Sequence, residues 1–477
     1  MYDFPRFYID GEWTDPASPK RISVINPANE QIAGYISLGA ATDVDRAVAA
    51  ARRAFPSFSG TSVVQRGKLL QTILEQYQAR KSDLAIAVRT EMGAPRWLAE
   101  GLQVAGGVLH IQSAIDVLKK FKFYEDRGTT RLMREPIGVC GMVTPWNWPI
   151  SLLLAKVAPA LAVGCTIVLK PSELAPFSAC ILAEVLHAAG VPPGVFNLIN
   201  GDGATVGTAI SAHPDIDLVS ITGSTRAGIE VARNAAASVK RVHQELGGKS
   251  PNILLDDADM EVAVTAGVKS IMTNSGQTCN APTRMLVPQA RMQEVISIAQ
   301  RAAESLAVGD PDSDVWMGPD ASKPQWDKIQ GFIKKGIEEG ATLVAGGLGK
   351  PTGCAQGFFV KPTVFANVSN RMTIAREEIF GPVLSIIGYE DTADAIAIAN
   401  DTDYGLYAYV SGKNLSRVRA VGAQLRAGQI NLNSSPRDMT APFGGYKRSG
   451  NGREWGEHGF LEYLEVKALV GHAAEST

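Results

Sequence analysis

Residues 137–173 read IGVCGMVTPWNWPISLLLAKVAPALAVGCTIVLKPSE and alternate two hydrophobic patterns. The apolar runs 137–143 and 166–169 predict buried strands. The run between them predicts a buried helix, because Lys156 and Pro159 interrupt it and its length is marginal for a membrane span. A strand, a helix and a second strand form the unit from which parallel sheets are built, so this stretch predicts an α/β fold.

The same alternation continues on both sides of this stretch. Apolar runs at 195–199 and 216–222 predict two more buried strands, each followed by a polar or glycine-rich turn. Apolar residues recur at helical spacing from Val44 to Phe55, and Thr42 with Asp45 predicts a capping box at the start of that helix. Ligands of parallel sheets bind beyond the carboxyl ends of the strands, so we expect the functional residues in these turns.

Composition and charge narrow the class of function. With 477 residues, 45% of them hydrophobic, the chain can bury large cores and divide into about three domains. The 46 basic and 48 acidic residues are mixed along the chain, which gives no electrostatic reason to expect nucleic acid or a membrane surface as partner. The sequence contains no fixed-period repeat or low-complexity tract. We therefore expect an enzyme that acts on a small molecule.

The cysteines and the N-terminus indicate the compartment. The five cysteines are scattered, with no disulfide framework and no metal-ligand spacing, which is typical of a reducing compartment. The first residues lack a basic region followed by a long apolar stretch, so no secretory signal is visible. We expect a cytoplasmic protein without a metal site.

Two motifs supply a candidate nucleophile and a candidate base. Cys279 lies in SGQTCNAP (275–282), and Glu245 begins ELGGKSP (245–251). A thiolate attacks carbonyl carbon, and a carboxylate can activate the water that later clears the resulting thioester. A lone cysteine is more often a small buried hydrophobe. The glycine and proline near Cys279, however, predict an irregular segment in which a side chain can face a cleft.

Three turns that follow predicted strands carry further candidates. Asn147 in TPWNWP (144–149) could donate uncharged hydrogen bonds to an oxyanion, although the turn could also be a rigid loop with packing tryptophans. Glu173 in KPSE (170–173) could accept hydrogen bonds from ribose hydroxyls and repel a 2'-phosphate, or form a solvated ion pair with Lys170. The amides of 223–228 could face a phosphate. Neither this turn nor 201–207 matches the GxGxxG fingerprint.

The ordered set of motifs resembles the aldehyde dehydrogenase superfamily, from Asn26-Pro27 nearly to the end of the chain. The motifs are TPWNWP, KPSE, ITGSTRAG (221–228), ELGGKSP, GQTCNAP (276–282), EEIFGPV (377–383) and PFGGYKRSGNGRE (442–454). The resemblance implies an aldehyde dehydrogenase-like α/β fold in three parts. These are a Rossmann-type dinucleotide-binding domain (1–116 and 137–248), an α/β catalytic domain (249–455) and a small β oligomerisation element (117–136 and 456–477).

The resemblance also implies the reaction. Cys279 would be the nucleophile, Glu245 the general base, and Asn147 with the backbone amide of Cys279 the oxyanion hole. Attack on an aldehyde gives a thiohemiacetal, which loses hydride to the nicotinamide and becomes a thioester. Water activated by Glu245 then releases a carboxylic acid. The overall reaction would convert aldehyde, NAD and water to acid and NADH.

By the same resemblance, the cofactor would be NAD, with NADP as an alternative. Its binding residues would be Trp146, Lys170, Glu173, Gly203, Gly207, Gly223, Ser224, Gly228, Leu246, Glu378 and Phe380. The aldehyde would contact Trp148, Leu152, Thr278, Asn280, Arg437 and Phe443, where small Ala155 beside large Trp148 suits a medium or aromatic substrate. Arg437 could hold the far carboxylate of a semialdehyde acid, or pair with Asp438 at the surface.

Oligomerisation and three competing functions complete the expectations. Segments 129–135 and 463–470 predict polar edge strands of the kind that relatives use to join subunits, so we expect a homodimer or homotetramer. A CoA-acylating enzyme would commonly lack the base at Glu245. A cysteine hydrolase could use His243, which has the same strand parity as Glu245, or another of the six histidines to ionise Cys279. A non-catalytic protein could retain the fold alone.

Overall fold

The computed structural model describes residues 1–473, and its largest sheet has eight strands. From one edge to the other these are β20 (Gly450–Asn451), β12 (Arg241–Glu245), β11 (Leu218–Thr222), β8 (Val139–Val143), β9 (Thr166–Lys170), β10 (Phe196–Leu198), β2 (Phe7–Ile9) and β3 (Glu12–Thr14). Strands β8 to β12 are parallel, whereas β20, β2 and β3 pair antiparallel. The four strands predicted from apolar runs are confirmed as β8, β9, β10 and β11.

The apolar runs are continuous because the sheet is buried on both faces. In β9, Ile167 and Leu169 pack into one hydrophobic cluster, whereas Val168 between them packs into another. In β8, Cys140 and Val139 separate in the same way. Successive side chains of a strand point to opposite faces, so a strand covered by helices on both sides needs apolar residues at every position.

The second large sheet has seven strands and lies in the second half of the chain. Its order is β15 (Thr342–Ala345), β16 (Thr363–Ala366), β17 (Val383–Tyr389), β14 (Arg284–Pro288), β13 (Pro251–Leu254), β18 (Tyr407–Ser411) and β19 (Gln429–Leu432). All neighbours in this sheet pair in parallel except β15 with β16. The predicted domain bounds remain a prediction; we note that β20, from within 249–455, extends the first sheet rather than the second.

Two three-stranded sheets complete the β-structure described. One contains β1 (Tyr2–Phe4), β5 (Ile32–Ser37) and β4 (Arg21–Ile25), and the other contains β21 (Leu464–Leu469), β7 (Thr130–Pro136) and β6 (Tyr124–Arg127). The prediction that both 129–135 and 463–470 form edge strands is wrong for the first of them. Strand β7 lies in the middle of its sheet, paired with β21 and β6, so only β21 and β6 present a free edge. Residues 474–477 of the predicted oligomerisation element lie outside the described residues.

Helices cover both faces of the two large sheets. They are α1 (Ala41–Ser59), α2 (Val63–Ala79), α3 (Lys81–Met92), α4 (Arg96–Leu98), α5 (Ala105–Leu118), α6 (Pro149–Val163), α7 (Phe177–Ala188), α8 (Thr208–Ala212), α9 (Thr225–Ala235), α10 (Met260–Met272), α11 (Met292–Glu304), α12 (Lys323–Glu338), α13 (Thr373–Arg376), α14 (Thr392–Asn400), α15 (Leu415–Gly422) and α16 (Gly456–Leu461). Among residues 1–473, no helix combines the length and the apolar character needed to cross a bilayer.

Two helix predictions can be compared with the structure. The apolar stretch after TPWNWP is confirmed as the buried helix α6, and its Lys156 is fully buried in an ion pair with Glu454. The capping box of Thr42 with Asp45 is wrong. Helix α1 starts two positions earlier than the pattern indicates, and the carboxylate of Asp43 accepts a hydrogen bond from the backbone N–H of Ala40 at 2.8 Å.

Candidate active site

A cleft of about 630 Å³ brings together the three predicted catalytic residues. One side is formed by the turn after β8, which contains Asn147, by the turn after β11, and by the end of β12, where Glu245 is the last residue. The other side is formed by Cys279, by α12 and by the segment before β17. The cleft therefore lies at carboxyl ends of parallel strands, where the α/β pattern predicts a ligand site.

The loop that carries Cys279 has a strained backbone. Asn274, Ser275 and Gly276 follow α10 with φ of 55°, 54° and 72°, a left-handed conformation that costs energy for the two residues with side chains. A Cβ on Gly276 would lie 2.1 Å from the carbonyl oxygen of Gly381, so only glycine fits there. Cys279, which follows this turn, is a partly exposed residue, whereas the other four cysteines are buried.

The electrostatic surroundings keep the Cys279 thiol protonated at rest. Burial raises the pKa of Cys279 above that of a free thiol, and the nearby carboxylates of Glu245 and Glu378 raise it further. A thiol must ionise before it attacks, so a neighbouring base has to accept its proton. Two carboxyl groups, Glu245 and Glu378, line the cleft with Cys279. Glu378 accepts a hydrogen bond from the backbone N–H of Gly248, whereas Glu245 has both oxygens without a partner within residues 1–473 and is therefore the candidate base.

Glu245 is a buried carboxyl group without a fixed partner. Its side chain is 2% exposed, and neither carboxyl oxygen has a hydrogen-bond partner within residues 1–473. Burial raises the pKa of Glu245 well above its usual value, the neighbouring Glu454 adds to the rise, and Lys156 and Arg453 oppose it. A carboxyl group with a raised pKa in a cleft is suited to taking and returning protons near neutral pH.

Asn147 is held rigidly, with one amide hydrogen left for a ligand. Its Nδ2 donates to the carbonyl oxygen of Gln277 at 2.9 Å. Its own backbone oxygen accepts from Gln103 Nε2 at 3.2 Å and from Asn274 Nδ2 at 2.8 Å. An asparagine amide carries two hydrogens, so the second remains available to an oxyanion near Cys279.

Six of the predicted cofactor residues line the same cleft. These are Trp146, Gly223, Ser224, Leu246, Glu378 and Phe380. Glu378 Oε1 accepts from the backbone N–H of Gly248 at 2.9 Å, and burial raises the pKa of Glu378. The ring of Phe380 contacts the ring of Trp146 edge to face, with the ring centres 5.5 Å apart, so two aromatic side chains border this part of the cleft.

Three more predicted cofactor residues line a second cleft beyond the ends of β8 and β11. Glu173, Gly203 and Gly207 face this space together with Arg226. The ion pair between Lys170 and Glu173, which was the alternative interpretation of KPSE, is formed, since Lys170 Nζ donates to Glu173 Oε2 at 3.2 Å. Only the lysine of that pair is buried, because the Lys170 side chain is 3% exposed whereas the Glu173 side chain is 36% exposed. Lys170 lines neither cleft, and its hydrogen bond to Glu173 helps to position that carboxylate.

Gly228 has a packing role in the structure. A Cβ on Gly228 would lie 2.5 Å from Leu246 Cδ2, so the glycine lets α9 approach the residue that lines the first cleft. Gly228 itself lines neither cleft. Its contact with the cofactor stays a prediction.

The predicted substrate residues form contacts around Cys279. Trp148 Nε1 donates to Thr278 Oγ1 at 3.0 Å, and the backbone oxygen of Asn280 accepts from Tyr409 Oη at 3.0 Å. Leu152 is half-buried on the helix that follows Trp148. These contacts fix the two residues that flank the nucleophile.

Arg437 contacts an aromatic side chain instead of Asp438. Its guanidinium lies 5.5 Å from the centre of the Trp455 ring, and Phe443 stacks on that ring at 4.7 Å. Asp438 Oδ1 accepts from the N–H and the hydroxyl of Thr440. The surface ion pair between Arg437 and Asp438, which the sequence left open, is not formed.

Three aromatic residues near the nucleophile, Tyr407, Tyr409 and Trp455, were not predicted from the sequence, and they pack around Phe443, which was. Tyr407 and Tyr409 lie two positions apart on β18, so their side chains point to the same face, and their ring centres are 4.8 Å apart. The ring of Tyr407 also approaches that of Phe443. We call Tyr407, Tyr409, Phe443 and Trp455 the aromatic wall. The alternation of two tyrosines in a strand was a visible signal, but its proximity to Cys279 depends on the pairing of distant segments.

Comparison with known proteins identifies the family. A model described as the aldehyde dehydrogenase family matches residues 13–469. The chain belongs to the aldehyde dehydrogenase family. The family prediction made from the motifs is confirmed, and with it the enzyme class and the α/β fold class. Because Cys279 and Glu245 lie in one cleft, this chain has both the nucleophile and the base that aldehyde oxidation and thioester hydrolysis require.

Three similar aldehyde dehydrogenases illustrate the match. The chain is 55% identical over 474 residues to 3-succinoylsemialdehyde-pyridine dehydrogenase of a Pseudomonas species, covering 99% of each chain. A mutant aldehyde dehydrogenase C from Pseudomonas syringae, crystallised with NAD+ and octanal, is 53% identical with a TM-score of 0.98 and coverage of 99% and 98%. A Mycobacterium tuberculosis aldehyde dehydrogenase complexed with NAD+ is 40% identical with a TM-score of 0.96 and coverage of 98% of both chains.

Proposed function

We propose that this aldehyde dehydrogenase uses NAD to oxidise an aldehyde to a carboxylic acid through a thioester on Cys279. The observation that carries the proposal is the single cleft in which Cys279, Glu245 and Asn147 meet residues suited to a dinucleotide. The NAD+ bound to two similar enzymes and the octanal bound to one of them support the choice of cofactor and substrate class. A spectrophotometric screen of aldehydes with NAD and with NADP tests it, and absence of NADH formation with every aldehyde would reject it.

The residues of the cleft account for each proton and bond. Glu245 accepts the thiol proton, Cys279 Sγ bonds to the carbonyl carbon, and the carbonyl electron pair moves to oxygen, where Asn147 and the amide of Cys279 donate hydrogen bonds. NAD held in the cleft would supply the acceptor for the hydride, which leaves this carbon as the oxyanion electron pair re-forms the carbonyl. Before hydrolysis Glu245 releases the thiol proton to solvent. The carboxylate then takes a proton from water, the hydroxide bonds to the thioester carbon, and the carbon–sulfur bond breaks, which releases the acid and the Cys279 thiolate.

Glu245 also supports water over CoA as the acyl acceptor. A CoA thiol can attack a thioester without a base dedicated to water, whereas hydrolysis needs one. Here the carboxyl group is buried beside the nucleophile, with both oxygens unpaired and its pKa raised. We therefore propose hydrolysis as the second half of the reaction. None of the six histidines lines the cleft, which argues against a cysteine hydrolase that uses an imidazole as its base.

Glu173 is the residue we propose for NAD preference. Its carboxylate lies at the end of β9 in the second cleft, where a 2'-phosphate on the ribose would meet a negative charge. We predict that Glu173→Gln narrows the ratio of kcat/KM for NAD over NADP by about tenfold, since a factor of ten corresponds to about 1.4 kcal/mol. Glu184→Gln, which removes a carboxylate elsewhere, should leave the ratio unchanged. An unaltered ratio in Glu173→Gln would remove this role.

We propose a medium-length apolar or aromatic aldehyde as substrate. The aromatic wall and Trp148 support it, as does the pyridine-containing substrate in the name of one relative. We predict that kcat/KM for octanal exceeds that for butanal by at least about tenfold, because each buried methylene contributes about 0.8 kcal/mol. Succinic semialdehyde should be no better than butanal. A strong preference for the semialdehyde would instead support the hypothesis that Arg437 holds a carboxylate.

We also propose that the chain works as a homodimer or homotetramer in the cytoplasm. Strand β21 has a free edge and exposes Val466, and Val470 beyond it is 83% exposed. Such an edge is a ready surface for pairing with another subunit. The four buried cysteines are all free thiols, which supports a reducing compartment. We retain the three predicted parts, 1–116 with 137–248, 249–455, and 117–136 with 456–477, as the proposed domain division of the subunit.

A further inference from the structure

His243 and Glu245 present two unpaired buried atoms to each other. They lie two residues apart on β12, so their side chains point to the same face of the strand. His243 Nε2 is 3.5 Å from Glu245 Oε1, and neither atom has a hydrogen-bond partner among residues 1–473. Both side chains are buried. A small approach would convert this contact into a hydrogen bond, because buried polar atoms are rarely left unpaired.

The opposite side of the imidazole is fixed by a chain of hydrogen bonds. His243 Nδ1 lies 2.9 Å from Ser220 Oγ on the adjacent strand β11. Lys156 Nζ, from helix α6, donates to the same Ser220 oxygen at 2.9 Å and to Glu454 at 2.7 Å. Because the ammonium group can only donate, it occupies a lone pair of Ser220 and turns the hydroxyl hydrogen toward His243 Nδ1.

This polarity selects the tautomer of His243. Burial lowers the pKa of His243 well below its usual value, and Lys156 and Arg453 lower it further, so the ring is neutral and carries one hydrogen. With Nδ1 accepting from Ser220, that hydrogen is on Nε2 and faces Glu245. Gly452 makes room for the ring, since a Cβ there would lie 2.2 Å from His243 Cδ2.

We propose that His243 is a positioning residue for Glu245, which donates a hydrogen bond from Nε2 to Oε1 when the carboxylate is ionised. The inference rests on the proposed function of Glu245 as the base that activates water. A donor on one oxygen aims the other toward the water and stabilises the charged form of the base. His243 thereby deepens the proposed mechanism without contacting substrate or cofactor.

Other titratable or charged groups lie near Glu245. They are Lys156 of α6, Cys279 of the loop after α10, and Arg453, Glu454 and Glu462 of the segment that follows β20. None of them is altered by exchange of the imidazole at position 243. A change in the ionisation of Glu245 in such variants is therefore attributable to the Nε2 donor.

Two substitutions separate the two nitrogens of the ring. In His243→Asn, an amide can meet Ser220 but is too short to reach Glu245, whereas in His243→Gln an amide hydrogen can reach Glu245. Cys279 is acylated with an activated ester in the absence of NAD, and hydrolysis of the thioester is followed by intact mass across pH. This readout isolates the step that Glu245 assists.

In the pH–rate profile of thioester hydrolysis, we expect His243→Asn to move the acid limb about one pH unit higher, so that hydrolysis on that limb is about tenfold slower. The sign follows because losing a donor to the carboxylate raises the pKa of Glu245, so ionisation requires a higher pH. We expect His243→Gln to keep the limb of the parent enzyme, which a purely structural role of the ring would not require.

An acid limb that does not move in His243→Asn, or that moves equally in both variants, would overturn the inference. If His243→Asn does not fold, Ser220→Ala serves in its place, because the ring then loses the partner that fixes its tautomer. A limb that moves upward supports the proposal, and one that does not move overturns it. Failure to acylate Cys279 at all would instead count against the proposed function.

Discussion

Cys279→Ala is expected to abolish aldehyde oxidation, with a loss of at least about 10⁴-fold in kcat. The methyl group of alanine cannot form the bond to the carbonyl carbon, and no other thiol is available in the cleft. The remaining four cysteines are buried outside it. Without a covalent adduct, no tetrahedral oxyanion forms opposite Asn147 and no hydride can leave. NADH absorbance under saturating aldehyde and NAD measures the loss.

Two controls distinguish lost chemistry from lost structure. Cys354→Ala removes a buried thiol whose nearest polar contact is the Val308 backbone, and it should leave turnover near the parent rate. The inactive Cys279→Ala protein should still bind NAD, as measured by calorimetry, because its cofactor residues are untouched. Turnover in Cys279→Ala above about one per cent of the parent rate would assign the nucleophile elsewhere.

The elements predicted correctly from sequence share a strong local signal. Strands β8, β9, β10 and β11 are apolar at successive positions because both faces of their sheet are covered, and helix α6 is apolar all round for the same reason. The turns after these strands contain Asn147, Glu173 and Gly223, and all three face a cleft. Local hydrophobicity and turn composition were sufficient for this part of the molecule.

The features missed from sequence depend on contacts between distant segments. Strand β7 is rich in long polar side chains, as an edge strand would be, yet β21 from the other end of the chain pairs with it and makes it central. The start of α1 was misplaced because Asp43 caps the backbone of Ala40, which has no capping side chain of its own. Sequence patterns report propensity, whereas strand partners and caps depend on the tertiary structure.

The network behind Glu245 shows the same limit at the site. Shared strand parity was enough to place His243 and Glu245 on one face, but not to tell whether the imidazole served Cys279 or the carboxylate. The answer depends on Ser220 from β11 and Lys156 from α6. They are 64 residues apart in sequence, yet Lys156 Nζ donates to Ser220 Oγ at 2.9 Å. No local pattern encodes that contact.

Glu245→Gln is expected to separate the two halves of the reaction. The amide preserves the size of the side chain but cannot accept a proton from water, so the thioester on Cys279 accumulates. We expect a burst of about one NADH per subunit, followed by a steady rate lowered by about 10²–10⁴-fold, the usual contribution of general base catalysis. Stopped-flow absorbance measures both phases, and intact mass after quenching detects the acylated subunit.

The burst itself tests a second role of Glu245. Because burial and the nearby carboxylates raise the pKa of Cys279, the parent thiol needs a proton acceptor. If Glu245 is that acceptor, the burst in Glu245→Gln is slower than in the parent but keeps its amplitude. Asp320→Asn is the matched control, since Asp320 is also buried, unpaired within residues 1–473 and raised in pKa, yet lies outside the cleft. Steady turnover of Glu245→Gln at the control rate would show that another group activates the water.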